Sequence, residues 1–114
     1  MQSNFNVETR NGTSAVVIGV NGELDLASSP ALEQELERGA AAQAEVVIVD
    51  LRNLEFMDST GLSVIVRAHQ RAEDEARELH LVRGPAQVMR LLDLTGIAER
   101  LSLLDTPEEA LGGS

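Results

Sequence analysis

Ser59, set in the run Phe56-Met57-Asp58-Ser59-Thr60-Gly61-Leu62, is the residue best placed for chemistry in this chain. The apolar run Val46-Val47-Ile48-Val49-Asp50-Leu51 precedes it, and a periodic segment ending near Ala76 follows. That order predicts a buried strand, a short loop and a helix start. Ser59 then stands at a helix N-terminus, where free backbone N–H groups and the helix dipole favour negative charge. A phosphate on its hydroxyl would be well placed there. The expectation is a modification switch in a protein that works by binding other proteins rather than by catalysis. Taken alone, the tetrapeptide from Asp58 to Gly61 also reads as an ordinary helix start, because Asp and Ser are good caps and Gly allows close backbone approach.

Other chemistries find less support. No Gly-x-Gly-x-x-Gly or Walker-type loop occurs, so the usual dinucleotide and nucleoside-triphosphate cradles are missing from the sequence. A serine nucleophile needs a base within reach. Ser59 is not in a Gly-x-Ser-x-Gly elbow, and nothing in the sequence pairs it with His69 or His80. These histidines lack metal-ligand spacing and cysteine partners. His69 is expected at the boundary of the second helix, and His80 outward on a strand. Asp25, Asp50, Asp58 and Asp93 could be read as a Mg²⁺ site, but turn and cap positions are where Asp is favoured. Asp50 and Asp58 flank the end of one strand, the edge where ligands of open α/β sheets lie. No cofactor or metal is expected.

Composition narrows the partners. The chain has 114 residues and a formal net charge of -10. One domain spanning 1–114 is the expectation, with 112–114 a frayed tail. Nucleic acid and anionic lipid surfaces repel such a chain, so a partner with a basic face is easier to accommodate. Phe5 and Phe56 are the only aromatics, which argues against stacking of bases or sugars. There is no cysteine, and the polar N-terminus lacks a signal-peptide pattern, in keeping with a cytoplasmic protein. No apolar stretch approaches the roughly 20 residues of a membrane span.

The elements that must position Ser59 follow from periodicity and punctuation. Phe5 to Arg10 alternates weakly, Asn11-Gly12 is a hairpin turn signal, and Ala15 to Val20 is the returning strand. Asn21-Gly22 is expected to break that strand before Glu23-Leu24-Asp25. Ser29-Pro30 reads as an N-cap and first helical residue, and Leu32, Leu36 and Ala40 share a face. Val46 to Leu51 is a β-branched run suited to burial on both faces. On the second helix Leu62, Ile65, Val66, His69 and Ala72 lie to one side and Arg67, Arg71 and Glu75 to the other. A short strand over 79–82 and a third helix opened by Gly84-Pro85, with Val88, Leu91 and Leu92 inward, come next. Gly96-Ile97 reads as a Schellman end, Leu101 to Leu104 as a last strand, and Thr106-Pro107-Glu108-Glu109 as a capping box starting a short helix. The sum is an α/β domain: a mixed, mostly parallel sheet with an N-terminal antiparallel edge hairpin and packed helices.

Three motifs occur in order: Gly22-Glu23-Leu24-Asp25, then the run around Ser59, then Leu91-Leu92-Asp93-Leu94-Thr95-Gly96-Ile97. Together they resemble the STAS domain, specifically the bacterial anti-sigma-factor antagonists, over nearly the whole chain. The resemblance implies a cytoplasmic partner-switching protein. Unphosphorylated, it would bind an anti-sigma factor that is also a serine kinase, freeing a sigma factor. The kinase would use ATP to phosphorylate the serine after the motif aspartate, matched here by Ser59, and a serine phosphatase would reverse this. Thr60 matches a Ser/Thr position and is a secondary acceptor candidate, and Asp25 matches a position in contact with the kinase. The motifs place Glu23, Asp25, Asp58, Thr60, Gly61 and Leu62 at the partner surface, and the free protein is expected to be a monomer. The alternative within the same resemblance is a constitutive STAS adaptor subunit of a transporter-associated or signalling complex. The chain departs from its relatives over Glu73 to Glu78, where they often carry glycines; a longer helix or a different turn is expected there.

Overall fold

The computed structural model describes residues 5–12, 14–41 and 44–111. Strands β1 (Phe5–Asn11) and β2 (Ala15–Leu24) form the expected antiparallel hairpin, closed by the Gly12 N–H donating to the Ala15 carbonyl at 2.7 Å. Helix α1 (Ser29–Ala41) follows, then strands β3 (Val46–Asp50) and β4 (Leu54–Met57) in succession, helix α2 (Ser59–Asp74), strand β5 (Glu78–Val82), helix α3 (Ala86–Leu94) and strand β6 (Ser102–Leu104). The sheet order is β1-β2-β3-β5-β6, with β4 also paired to β2, and every pairing after the hairpin is parallel. The expected mixed, mostly parallel sheet with an antiparallel edge hairpin is the observed one.

Strand alternation divides the core. Val16, Ile18, Val20, Val47, Val49, Leu79 and Leu81 point to one face, where Leu32 of α1, Leu62 and Ile65 of α2, and Val88 and Leu92 of α3 cover them. Val17, Ile48 and Val82 point to the other, against Val46 and Ala110. The β-branched run is thus buried on both faces, as expected from its composition. Val64 is buried as well, because α2 also lies against α1, and this widens its buried face beyond the stripe read from the sequence. The side chain of Ala40 and the tail at 112–114 lie outside the described residues.

Two local expectations are corrected. Asn21-Gly22 does not break β2: Phe5 and Asn6 pair across from it, and Leu54 pairs on the other side. A strand bonded on both edges continues through a glycine, here at φ 92° with a register shift to Glu23. The stretch before Asp58 is a strand rather than a loop. The chain turns at Asp50–Asn53, with Leu54 N–H donating to Leu51 carbonyl at 3.0 Å, and rejoins β2 as β4. Four residues whose exposure does not alternate leave no period-2 signal.

The departure over Glu73 to Glu78 resolves as a turn rather than a longer helix. The α2 helix ends at Asp74, Glu75 caps it, and Ala76 takes φ 56°. That left-handed region is natural to glycine and strained for alanine. Ala76→Gly is therefore expected to stabilise the fold by about 1 kcal/mol, read as a higher urea midpoint at unchanged m-value. At the next helix end Gly96 has φ 76° and donates to Asp93 carbonyl at 3.1 Å, the glycine end expected there, followed by a 3-10 turn at Ile97–Arg100. The terminal helix is a 3-10 turn, Pro107–Glu109, with Glu109 Oε2 accepting from Thr106 N–H at 2.8 Å as the capping box requires.

Candidate functional site

The site forms where β2 and β4 run out side by side at their C-terminal ends. Leu24 pairs with Met57, and Asp58 N–H donates to Leu24 carbonyl at 3.1 Å. From this point the two strands diverge, one into residues 25–28 and α1, the other into α2. Asp58 is the N-cap of α2: its Oδ1 accepts from Thr60 N–H at 2.9 Å and from Gly61 N–H at 3.1 Å. Ser59 is the first helical residue and is exposed, and Thr60 is half-buried. The helix N-terminus predicted for Ser59 is therefore present, but the carboxylate of Asp58 already satisfies two of its N–H groups. A phosphate on Ser59 would stand beside that charge.

Gly61 and Leu62, read from the motif as partner residues, lie beneath the surface. A Cβ on Gly61 would meet Leu24 Cγ at 2.6 Å and Leu24 carbonyl oxygen at 3.0 Å, so glycine lets the first turn of α2 rest on the end of β2. Glu23 is exposed and pairs with Phe56, itself 48% exposed. Phe56 stood in the quoted motif without a role assigned to it. Its exposure follows from β4, a strand unseen in the sequence.

The loop after β2 is closed by its own hydrogen bonds. Asp25 Oδ1 accepts from Ala27 N–H and Ser28 N–H, each at 3.1 Å. Ser28 is buried; its hydroxyl donates to Glu23 carbonyl at 2.7 Å and accepts from Asp25 N–H at 2.9 Å. Ser29 was expected to cap α1 forward. Instead its hydroxyl donates back to Asp25 carbonyl at 2.6 Å, and α1 begins at Ser29 itself. The buried loop hydroxyl offers a better return than a forward cap, because an unsatisfied buried polar group is costly. Leu26 at the crown of this loop is 74% exposed. Sequence reading passed over it, since one leucine between turn residues carries no periodic signal.

The four carboxylates read as a possible Mg²⁺ set do not converge. Asp25 and Asp58 serve their own loops, and Asp93 is exposed on α3. Asp50 holds its own turn, accepting from Arg52 N–H at 3.0 Å and from the Arg52 guanidinium at 2.7 Å. Burial raises the Asp50 pKa, but the Arg52 hydrogen bonds and charge, helped by Arg10, outweigh it and hold the carboxyl below the usual aspartate range. A depressed folded pKa stabilises above the unfolded value, about 3.9, and that contribution disappears as pH falls through the folded value. Arg52→Ala should therefore cost about 1 kcal/mol at pH 7, allowing for solvent screening. The difference from wild type should shrink progressively as pH falls through and below the ordinary aspartate range, measured by urea unfolding across a pH series.

The histidines sit away from Ser59's turn. His69 is at the α2 boundary as expected, its Nε2 3.6 Å from Glu73 Oε1. His80 is not simply outward: it is half-buried, with Nδ1 2.6 Å from Ser102 Oγ on the neighbouring β6 and Nε2 3.0 Å from Glu78 Oε1. Among the described residues no helix is long and apolar enough to cross a membrane.

Comparison with known proteins gives one consistent picture. The family model described as "STAS domain" matches residues 4–110. The chain is 29% identical over 110 residues to the anti-sigma-B factor antagonist of Bacillus subtilis (strain 168), covering 96% of this chain and 97% of that protein. It is 28% identical over 109 residues to the anti-sigma F factor antagonist of Paenibacillus polymyxa, covering 95% and 93%. The crystal structure of an anti-sigma factor antagonist from Mycobacterium paratuberculosis superposes with a TM-score of 0.84 at 28% identity, covering 96% of this chain and 92% of that one.

Proposed function

Since the chain belongs to the STAS domain family, we propose that it is an anti-sigma-factor antagonist switched by phosphorylation at Ser59. The unphosphorylated chain binds an anti-sigma factor that is also a serine kinase, and a sigma factor is released. Phosphorylation by that kinase, with ATP, ends the complex, and a serine phosphatase restores the binding form. The chain acts in the cytoplasm as one domain over 1–114, as a monomer when free, by binding rather than by catalysis. The observation that carries this reading is the exposed Ser59 at the first position of a capped helix, in a chain whose match spans 97% of an anti-sigma-B factor antagonist.

The geometry supplies a physical switch. A phosphate adds about -1.5 to -2 charges and strong acceptor oxygens. Here it would arise beside Asp58, with Glu23 on the neighbouring strand, in a chain of net charge -10. A partner fitted to the bare surface meets new bulk and an altered charge. The α2 helix keeps its Asp58 cap, so the fold survives while the interface does not.

The test begins with Ser59→Ala and Ser59→Asp baits in lysate of the native cell, with captured proteins identified by mass spectrometry. The protein held by the Ala bait and not by the Asp bait is purified and incubated with the wild-type chain and ATP. A gain of one phosphate on wild type, mapped to Ser59 and absent from Ser59→Ala, is expected. Identical captures with both baits, or phosphate at another residue alone, would overturn the reading.

A further inference from the structure

We propose that the cleft between α1 and α2 is a binding site for a small amphipathic anion, a fatty carboxylate of medium chain length. The cleft follows α2 from Val64 to the Glu75 cap, whereas Ser59 opens the helix at its other end. The site therefore does not depend on the switch at Ser59.

Small side chains open the cleft. Ala68 and Ala72, one turn apart on α2, line with Leu36 of α1 a cavity of about 250 Å³. Val64 extends the α2 wall, and the buried Val47 of β3 and Leu79 of β5 lie at the bottom. An apolar cavity of roughly 150 Å³ takes up benzene, so this one has room for an acyl chain of about six to ten carbons. Apolar walls with a few polar groups at the mouth, set between helices, are the usual form of a small-ligand site.

Charge at the mouth selects the head group. Arg67, Arg71 and Arg77 border the cleft, a third of the chain's nine basic residues, in a chain of net charge -10. Arg67 donates to Glu33 Oε2 at 2.9 Å and ties α2 to α1. Arg71 and Arg77 share one carboxylate, their Nε atoms 3.3 and 3.4 Å from Glu75. Two guanidiniums on one carboxylate can accept a second carboxylate. The Arg77 side chain is only 19% exposed, so an anion beside it is poorly screened by water. Glu37, the remaining carboxylate at the mouth, is exposed and well solvated. An apolar cleft ending in paired guanidiniums fits an apolar chain ending in a carboxylate.

Calorimetry on the whole chain at pH 7 tests this with hexanoate, octanoate, decanoate and dodecanoate below their micellar concentrations, and with 1-octanol as the neutral congener. Affinity should rise roughly tenfold from hexanoate to octanoate, from two more buried CH₂ groups, and stop rising by dodecanoate. Ala68→Leu fills the cleft and should abolish octanoate binding with a melting temperature at or above wild type. Arg71→Ala should weaken octanoate at least fivefold and leave octanol unchanged. Glu37→Gln should tighten octanoate about two- to fivefold by removing a like charge. Arg71 is 51% exposed and Glu37 is exposed, so both variants keep the fold and carry the test should Ala68→Leu not fold. No octanoate binding at millimolar concentration would overturn the site. So would an affinity that climbs through dodecanoate and ignores Ala68→Leu, the mark of non-specific adsorption. Equal losses of octanoate and octanol in Arg71→Ala would overturn the anionic class of ligand.

Discussion

Ser59→Asp is expected to lower affinity for the anti-sigma factor by roughly 30- to several-thousand-fold, about 2–5 kcal/mol, the usual cost of opposing a desolvated charge contact. Stability should change by no more than about 0.5 kcal/mol, because Ser59 is exposed and a carboxylate at the first turn of a helix is favoured by the dipole, offset by Asp58 beside it. The dissociation between the two quantities is the point. A helix-capping role would be carried by Asp58, whose Oδ1 bonds Thr60 and Gly61 N–H. A substitution one residue later that leaves the melting curve in place and removes binding belongs to the interface. Calorimetry for binding and urea unfolding for stability separate the two. Full-affinity binding by Ser59→Asp with an intact fold would refute the switch. The phosphorylated chain should bind no better than the Asp variant, because the phosphate carries more charge and more bulk.

The second large effect concerns the scaffold behind the site. Gly84→Ala is expected to destabilise the fold by about 2–4 kcal/mol, a substantial share of the 5–15 kcal/mol typical of a domain this size. Its Cβ would lie 2.5 Å from the Leu51 carbonyl oxygen and 3.2 Å from the Leu51 carbonyl carbon. Backbone cannot yield as a side-chain end can. Leu51 is also pinned, donating to Val82 carbonyl at 3.1 Å and accepting from Leu54 N–H at 3.0 Å. Displacing it loosens the turn that delivers β4, and with it Asp58 and Ser59. Gly19→Ala is the control: its Cβ finds nothing nearer than 3.6 Å, so a change within about 0.5 kcal/mol is expected in the same urea series. Equal midpoints for the two variants would show that the Gly84 contact relaxes cheaply.

Much of this architecture was legible in residue order. The β-branched run of β3, the hairpin, the α2 start at Ser59 and the left-handed Gly96 all follow from local rules, because each depends on neighbours a few residues away. The resemblance of the three motifs led to the family that the match over residues 4–110 shows. Tertiary structure decided what local rules cannot express. Asn21-Gly22 became strand because β1 and β4 bond it from both sides. Leu54–Met57 became strand because β2 had an open edge to take it. His80 gained Ser102 as a partner through a pairing of strands 22 residues apart. Around Ser59, sequence named the serine, the cap and the acidic neighbours. The apolar side of α2 already placed Leu62 inward; only the folded chain showed Gly61 beneath the surface with it, while Leu26 and Phe56 stand out. Periodicity reports which residues share a face of one element; whether that face is covered depends on which distant segment comes to lie against it.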